Sequence, residues 1–395
     1  MTDIFLPQKA IITPRSDGAL ILESPYELHS EVSRTGDWLD HWATVKGDCV
    51  FIAERSGIGW HSLTYGESLD TVKVLAESLL GMGLGPSRPL MLLSGKSINH
   101  ALLVLAAQYV GIPSVAVAEQ YSLVTAAHDK LQHVLSVIQP GAVFAEDSEK
   151  FAAALNFTLL RDVPIIAVYG QGSYTIEGLK KGDKGAGLEV AKAEVTPDTL
   201  AKLLFTSGST SMPKAVRTTH RMLTANQAQI AQVFPFLKRH PQRIVDWLPW
   251  NHTFGGSHNF NLMLSTGGTL YLDDGEPSEK GTKRTIENIR MVGQTVSFNV
   301  PIAYSMMAKA MRKDSEFRRQ FFKDLELVFY AAAGMPQGIW DELKEHAMKE
   351  KGKAPEMSAS WGMTETAPAA LMVHGPMKTA GVIGVPLPGL SAKLL

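Results

Sequence analysis

Cysteine is almost missing from this chain, Cys49 being the only one. No intrachain disulfide can form, which excludes the disulfide-stapled secreted class and suits a reducing, cytoplasmic compartment. An excess of either charge is missing too. Lysine and arginine number 38 against 39 acidic residues, for a formal net charge of −1. That balance gives no electrostatic reason to expect nucleic acid or an anionic membrane as partner. The opening residues 1–7 carry neither a basic stretch nor an apolar core, so they do not read as a secretory signal. No long hydrophobic run goes uninterrupted. The nearly uncharged segment 101–118 imitates a membrane span, but Gly111-Ile112-Pro113 breaks it, since proline pushes the preceding residue toward extended backbone. It reads as a buried helix ending near Gly111 and a short buried strand over 114–117. Short-period repeats and low-complexity tracts are absent.

What is present is a compact composition, 45% apolar and 19% charged over 395 residues, enough for two or three domains. From about Tyr65 the pattern alternates helix and strand. Leu69, Val72, Ala76, Leu79 and Leu80 share a helical face that Gly81 and Gly83 end. Strands of the fully buried type follow at 89–93, 114–117, 141–145 and 164–168, with a helix around 126–138. The polar, glycine-rich segment 178–187 reads as an exposed connector. Beyond it the alternation resumes, with strands at 244–248, 269–272, 296–299 and 325–330 and helices at 285–292, 302–313 and 338–351. Repeated units of this length predict doubly wound α/β architecture. Residues 381–395 read as two strands around a turn.

The most informative run is Leu203-Leu204-Phe205-Thr206-Ser207-Gly208-Ser209-Thr210-Ser211-Met212-Pro213-Lys214. A buried strand leads into a hydroxyl-rich, glycine-bearing turn, and a Pro-Lys step closes it. Backbone N–H groups, hydroxyls and one ammonium can converge there on a single anion, which makes a phosphate cradle. No Gly-Lys-[Ser/Thr] opens a helix after the run, which disfavours a P-loop nucleotidase. An exposed Ser/Gly loop is the plain alternative.

Three further segments carry candidate chemistry. Asp246-Trp247-Leu248-Pro249-Trp250-Asn251-His252-Thr253-Phe254-Gly255-Gly256 ends a strand with aromatics, a histidine and two glycines. Strand ends of α/β sheets are where ligands sit, and the glycines favour close approach of a ligand to the backbone. An aromatic core cluster is the alternative. Tyr330-Ala331-Ala332-Ala333-Gly334 leaves a strand through small residues on which a flat nucleobase can lie, or which merely allow tight packing. In Ser360-Trp361-Gly362-Met363-Thr364-Glu365 a hydroxyl can meet an α-phosphate and a carboxylate can hold Mg²⁺. Taken alone, Thr364-Glu365 is an ordinary helix start.

The pairing of 205–214 with Trp361-Gly362-Met363-Thr364-Glu365 resembles the adenylate-forming superfamily of acyl-CoA synthetases, aryl-CoA ligases, luciferases and peptide-synthetase adenylation domains. Segments 245–258, 271–275 and 218–223 resemble its feruloyl-CoA synthase branch. The resemblance implies two α/β subdomains, 1–185 and 186–380, the second carrying the ATP and acyl sites, and the start of a small β subdomain over 381–395. It implies an ATP-dependent carboxylate–CoA ligase that forms an acyl-adenylate from ferulate or a related hydroxycinnamic acid. ATP, Mg²⁺ and coenzyme A are the implied cofactors, and a small aromatic carboxylic acid is the implied partner. Thr206, Ser207, Gly208, Ser209, Thr210 and Lys214 would cradle the β- and γ-phosphates. Ala332, Ala333 and Gly334 would flank adenine, with Trp361 and Gly362 beside it. Thr364 would meet the α-phosphate and Glu365 the Mg²⁺. His252 would face the reacting carboxylate, and Trp250, Phe254, Gly255 and Gly256 would line the acyl pocket. Lys214, Thr364, Glu365 and His252 are the implied catalytic set. The family often has glycine where Ser211 and Ala215 stand. Family members also continue with a ribose-binding aspartate and a small domain bearing a lysine that promotes adenylation. The expectation is therefore a large domain alone, impaired in thioester formation, or a nucleotide- and aromatic-acid-binding fragment without turnover.

Overall fold

The computed structural model describes residues 4–30, 32–182, 185, 187–206 and 212–395. Its largest sheet has seven strands in the order Lys214–Thr219, Leu200–Thr206, Ser114–Ala116, Leu90–Leu93, Ala142–Asp147, Ile165–Tyr169 and Tyr174–Thr175. All neighbours are parallel except the edge strand Lys214–Thr219, which runs antiparallel to Leu200–Thr206. The strand Leu90–Leu93 at its centre is buried at every position, which is why it shows no polar alternation. A second sheet of five orders Val296–Asn299, Leu327–Tyr330 and Glu356–Gly362 in parallel, then Ala369–Met372 and Val385–Pro386 antiparallel. A four-stranded sheet joins Arg243–Asp246, Thr269–Leu272 and Val50–Ser56 in parallel with Gly59–Thr64 antiparallel. The mixed α/β class expected from the alternation is what the fold displays.

Local chemistry explains where elements start. The helix Tyr65–Gly81 begins at a capping box. The Thr64 hydroxyl accepts from the Glu67 amide at 3.2 Å, and the Glu67 carboxylate accepts from the Thr64 amide at 2.8 Å. Its buried stripe is Val72, Leu75, Ala76 and Leu79, and Gly83 at φ +75° turns the chain away. The segment imitating a membrane span is core: helix Ile98–Tyr109 is buried on nearly every side and passes into strand Ser114–Ala116. Among the described residues no helix is long and apolar enough to cross a membrane.

Sheet membership departs from chain order. Leu200–Thr206, beyond the glycine-rich connector, completes the seven-stranded sheet beside Ser114–Ala116. Val50–Ser56, from early in the chain, pairs with Thr269–Leu272. The exchange is locked by Tyr65, whose hydroxyl is shared between the Met263 and Gly268 carbonyls at 3.0 and 2.8 Å. The two strands read at 381–395 do not pair with each other. Val385–Pro386 joins Ala369–Met372, while Ser391–Leu394 joins Leu20–Glu23 and Ile11–Pro14 in a small antiparallel sheet.

Candidate active site

Two buried parallel strands deliver their C-terminal ends to one cleft. Leu327–Tyr330 is buried throughout and releases the chain into Ala331–Gly334, where Ala332 is held at φ +71°. A left-handed alanine is strained backbone of the kind that clusters at ligand sites. The strand end is clamped by the buried Tyr304, whose hydroxyl lies 2.8 Å from the Ser297 carbonyl, 3.0 Å from the Ser297 hydroxyl and 2.9 Å from the Phe329 carbonyl. The neighbouring strand Glu356–Gly362 ends in Ser360, Trp361 and Gly362. A Cβ at Gly362 would overlap the Pro368 carbonyl oxygen, so only glycine fits that crossing. Opposite stand Gly381, Val382 and Ile383, with the Gly381 amide donating to the Tyr330 hydroxyl at 3.2 Å. These walls, together with His252–Phe254 and His258, enclose a cavity of about 340 Å³.

A second cavity of about 310 Å³ opens on the other side of His252 and Thr253, which line both. Its walls include Thr206, Thr364, Asn251 and Tyr121. The hydroxyls of Thr206 and Thr364, far apart in the chain, therefore share one space. Thr206 faces Lys214 across the antiparallel ladder, so the Ser-rich run is the connection between these strands. Ser207, Gly208, Ser209 and Thr210 lie outside the described residues, as does Ser211. Lys214 is exposed, and so is Glu365 in the short turn Thr364–Thr366. Among the described residues no cluster of three or more His, Cys, Asp or Glu could hold a metal ion. An exposed carboxylate next in the chain to Thr364 still fits Mg²⁺, which keeps several waters and takes one or two carboxylates plus substrate phosphates. Glu365 is the residue that would hold it.

His252 accepts the Phe254 amide on Nδ1 at 3.3 Å. Its neutral form therefore carries the proton on Nε2, a donor at the junction of the two cavities. Phe254 lines the larger cavity as expected. Trp250, Gly255 and Gly256 do not line either cavity. The Trp250 ring is buried edge-on against His100 and Phe260 at centroid distances of 5.0 and 5.2 Å. A Cβ at Gly255 would come within 2.7 Å of the Pro249 carbonyl oxygen, and one at Gly256 would overlap that of Trp250. The glycines thus serve close approach of the chain to itself rather than to a ligand. Ala332, Ala333, Gly334, Trp361 and Gly362 all line the larger cavity, Trp361 being 48% exposed there.

Three residues at or near the site were not singled out in sequence, although Thr253 and His258 fall inside the segment 245–258. Thr253, 5% exposed with a hydroxyl that has no partner among the described residues, stands at the junction. His258 lies on the wall of the larger cavity. Lys202, wholly enclosed beside His100 and Trp250, donates from Nζ to the Gly256 carbonyl at 2.6 Å, and burial lowers its pKa to about 8. Strand alternation placed Lys202 one step from Leu203 in an apolar run, where a lysine is the exception that marks it. A Gly-Lys-Ser triplet does occur at Gly95-Lys96-Ser97, before helix Ile98–Tyr109. That helix start is already occupied, since Glu54 accepts from the Ile98 amide at 2.8 Å and Ser97 from the His100 amide at 3.1 Å.

Comparison with known proteins bears on the family and the fold. A family profile described as AMP-binding enzyme matches residues 28–395. A long-chain-fatty-acid–CoA ligase of Salmonella typhimurium is 27% identical over 213 residues, covering 53% of this chain and 36% of the relative. A probable 4-coumarate–CoA ligase of Dictyostelium discoideum is 26% identical over 285 residues, covering 68% and 49%. The chain spans about half the length of these curated relatives, or less. Among solved structures, a long-chain-fatty-acid–CoA ligase from Archaeoglobus fulgidus superposes with a TM-score of 0.73 at 20% identity, covering 93% of this chain and 72% of that one. McyG A-PCP, solved with phenylalanyl-adenylate, gives 0.75 at 18% identity, covering 93% and 57%. At such identities these structures speak for the fold.

Proposed function

Because the chain belongs to the AMP-binding enzyme family, we propose that it activates a carboxylic acid with ATP, forming an acyl-adenylate that coenzyme A then converts to a thioester. The observation carrying this reading is the meeting of two unlike cavities at His252 and Thr253. One is hydroxyl-bearing and adjoins the Ser-rich connection; the other is walled by alanine backbone and aromatic rings. A nucleotide placed across them sets its triphosphate by Thr206, Lys214 and Thr364 and its base on Ala331–Gly334 beside Trp361. The carboxylate of the acid then lies by His252 Nε2–H, which donates a hydrogen bond to it and aims one oxygen at the α-phosphorus. That oxygen forms the new P–O bond as pyrophosphate departs. Glu365 would hold Mg²⁺, which would supply charge neutralisation on the phosphates. The residues' share is positioning and electrostatics. In the second half-reaction the CoA sulfur bonds to the acyl carbon and AMP leaves.

For the acid we propose an aryl substrate, ferulate or a related hydroxycinnamic acid, acting in the cytoplasm. One relative is named for long-chain fatty acids and another for 4-coumarate, so the cavity has to discriminate. Phe254, His258 and Phe329 form an aromatic side of the larger cavity, apart from the Ala331–Gly334 and Trp361 side given to the base, and suit a flat ring. The test combines two measurements. Lys214→Ala is expected to weaken ATP about ten- to a hundred-fold in calorimetric titration, since charge-assisted contacts are worth roughly 1.5–3 kcal/mol, and to spare AMP. Equal losses for both nucleotides would remove Lys214 from the phosphate site. In a pyrophosphate-release panel, response to decanoate with none to ferulate, p-coumarate or caffeate would overturn the aryl assignment.

A further inference from the structure

His258 forms part of the larger cavity and is 1% exposed. Three phenyl rings hold its imidazole. Phe329 stacks on it at 5.3 Å and 23°, Phe254 meets it edge-on at 5.4 Å, and Phe298 lies tilted at 5.3 Å. Its Nδ1 lies 2.9 Å from Asn259 Oδ1. Which end of the Asn259 amide faces the ring follows from the other end. Asn259 Nδ2 donates to the Phe298 carbonyl at 3.4 Å and to Asp246 Oδ1 at 3.2 Å. A backbone carbonyl only accepts, so the nitrogen is committed there and Oδ1 faces His258. His258 Nδ1 must then donate, and Nε2 is left as a bare lone pair. That atom is buried and has no partner among the described residues. Burial also holds the imidazole down at about 4, so at neutral pH the ring stays an acceptor.

A buried acceptor left empty is costly, and a ligand that fills it gains what its absence forfeits. Aliphatic and purely aryl surfaces cannot fill it. A hydroxyl can.

We infer that His258 is a specificity-determining residue whose Nε2 accepts a hydrogen bond from a hydroxyl on the acyl substrate, selecting phenolic over unsubstituted or O-methylated aryl acids. This rests on the acid occupying the Phe254, His258 and Phe329 side of the larger cavity while the base takes the Ala331–Gly334 side. The relay Asp246–Asn259–His258 fixes the tautomer, and the three phenyl rings fix the direction, so the acceptor is set before substrate arrives.

The experiment titrates the protein with 4-hydroxycinnamate, 4-methoxycinnamate and cinnamate, following tryptophan fluorescence and calorimetric heat. The phenolic acid is expected to bind about ten- to a hundred-fold more tightly than the other two, and in His258→Phe this ratio is expected to fall to near one. A second readout needs no variant. In ¹⁵N spectra of the wild-type protein, the His258 Nε2 resonance is expected to move on adding 4-hydroxycinnamate and to move little with cinnamate. Equal affinities in the wild type, a preference surviving in His258→Phe, or an unmoved Nε2 resonance at saturation would overturn the inference while leaving the aryl-acid reading intact. Failure of all three cinnamates to bind, with decanoate binding, would overturn the aryl-acid reading and this inference with it.

Discussion

At the scale of single residues, Lys202 is the group whose environment most contradicts its chemistry. Its ammonium is enclosed among Val104, Leu204, Trp250 and Phe260, and donates one hydrogen bond to the Gly256 carbonyl. Desolvation lowers the folded pKa to about 8, whereas the unfolded chain keeps lysine near 10.4. Between those values the unfolded state holds a proton that the folded state has released. Stability from this group is therefore present above the unfolded value and lost as pH falls toward 8. Urea unfolding at pH 8 and pH 10 checks this. Relative to Lys202→Met, the wild type is expected to gain about 2–3 kcal/mol over that interval, and parallel profiles would show that Lys202 keeps an ordinary pKa. Lys214, His252 and Phe254 stood out in sequence because each sits in a motif. Lys202 sits outside any motif and His258 closes the segment 245–258 without having been singled out, and only their surroundings give them meaning.

At the scale of elements, the segment after strand Arg243–Asp246 decides the shape of the site. Residues 248–256 fold back on themselves, and the wide turn Phe254–Asn259 begins there, the Phe260 amide bonding the Gly255 carbonyl five residues back. Gly256 presses on the Trp250 backbone so closely that a methyl group has no room. Gly256→Ala is expected to destabilise the protein by about 2–4 kcal/mol, read as a lowered urea midpoint. Because Gly256 also receives Lys202, the displaced turn carries His252 and Phe254 out of place. A stability within 0.5 kcal/mol of wild type, on the scale of neutral surface changes, would mean the turn has slack. The two glycines were visible in sequence, but their reason was not. A glycine pair signals close approach without saying what approaches.

At the scale of the whole molecule, acid should be the weak side. Burial holds His100 at about 3 and His220 and His258 at about 4. The unfolded chain protonates these histidines near 6.5. Their stability is full above 6.5 and lost as pH falls toward 4. Asp246 opposes them, because burial raises its carboxyl to about 7 and the folded state keeps that proton where the unfolded state has lost it. Three histidines against one carboxyl leave a net uptake of about two protons on unfolding at pH 5, or ~2–3 kcal/mol per pH unit. Urea midpoints should drop steeply between pH 6.5 and 5, and Asp246→Asn should steepen the fall by removing the opposing group. A flat wild-type profile over that range would contradict the buried neutral histidines.

The sequence by itself determined the α/β class, because strands buried on both faces read as short apolar runs and helices between them as 3.6-residue stripes. It determined that 101–118 belongs inside the protein, since Pro113 ends the run. It also singled out Thr206, Lys214, Thr364, His252 and Ala332–Gly334 as candidates, through residue chemistry together with the resemblance to the adenylate-forming superfamily. Only the tertiary structure decided which strands share a sheet, as in the pairing of Leu200–Thr206 with Ser114–Ala116, because backbone hydrogen bonding is blind to chain distance. It also decided that Trp250 turns into the core while His258 turns to the cavity. Side-chain direction depends on the geometry of the turn carrying it, and the wide turn Phe254–Asn259 follows neither the helical nor the strand period from which a facing could be read.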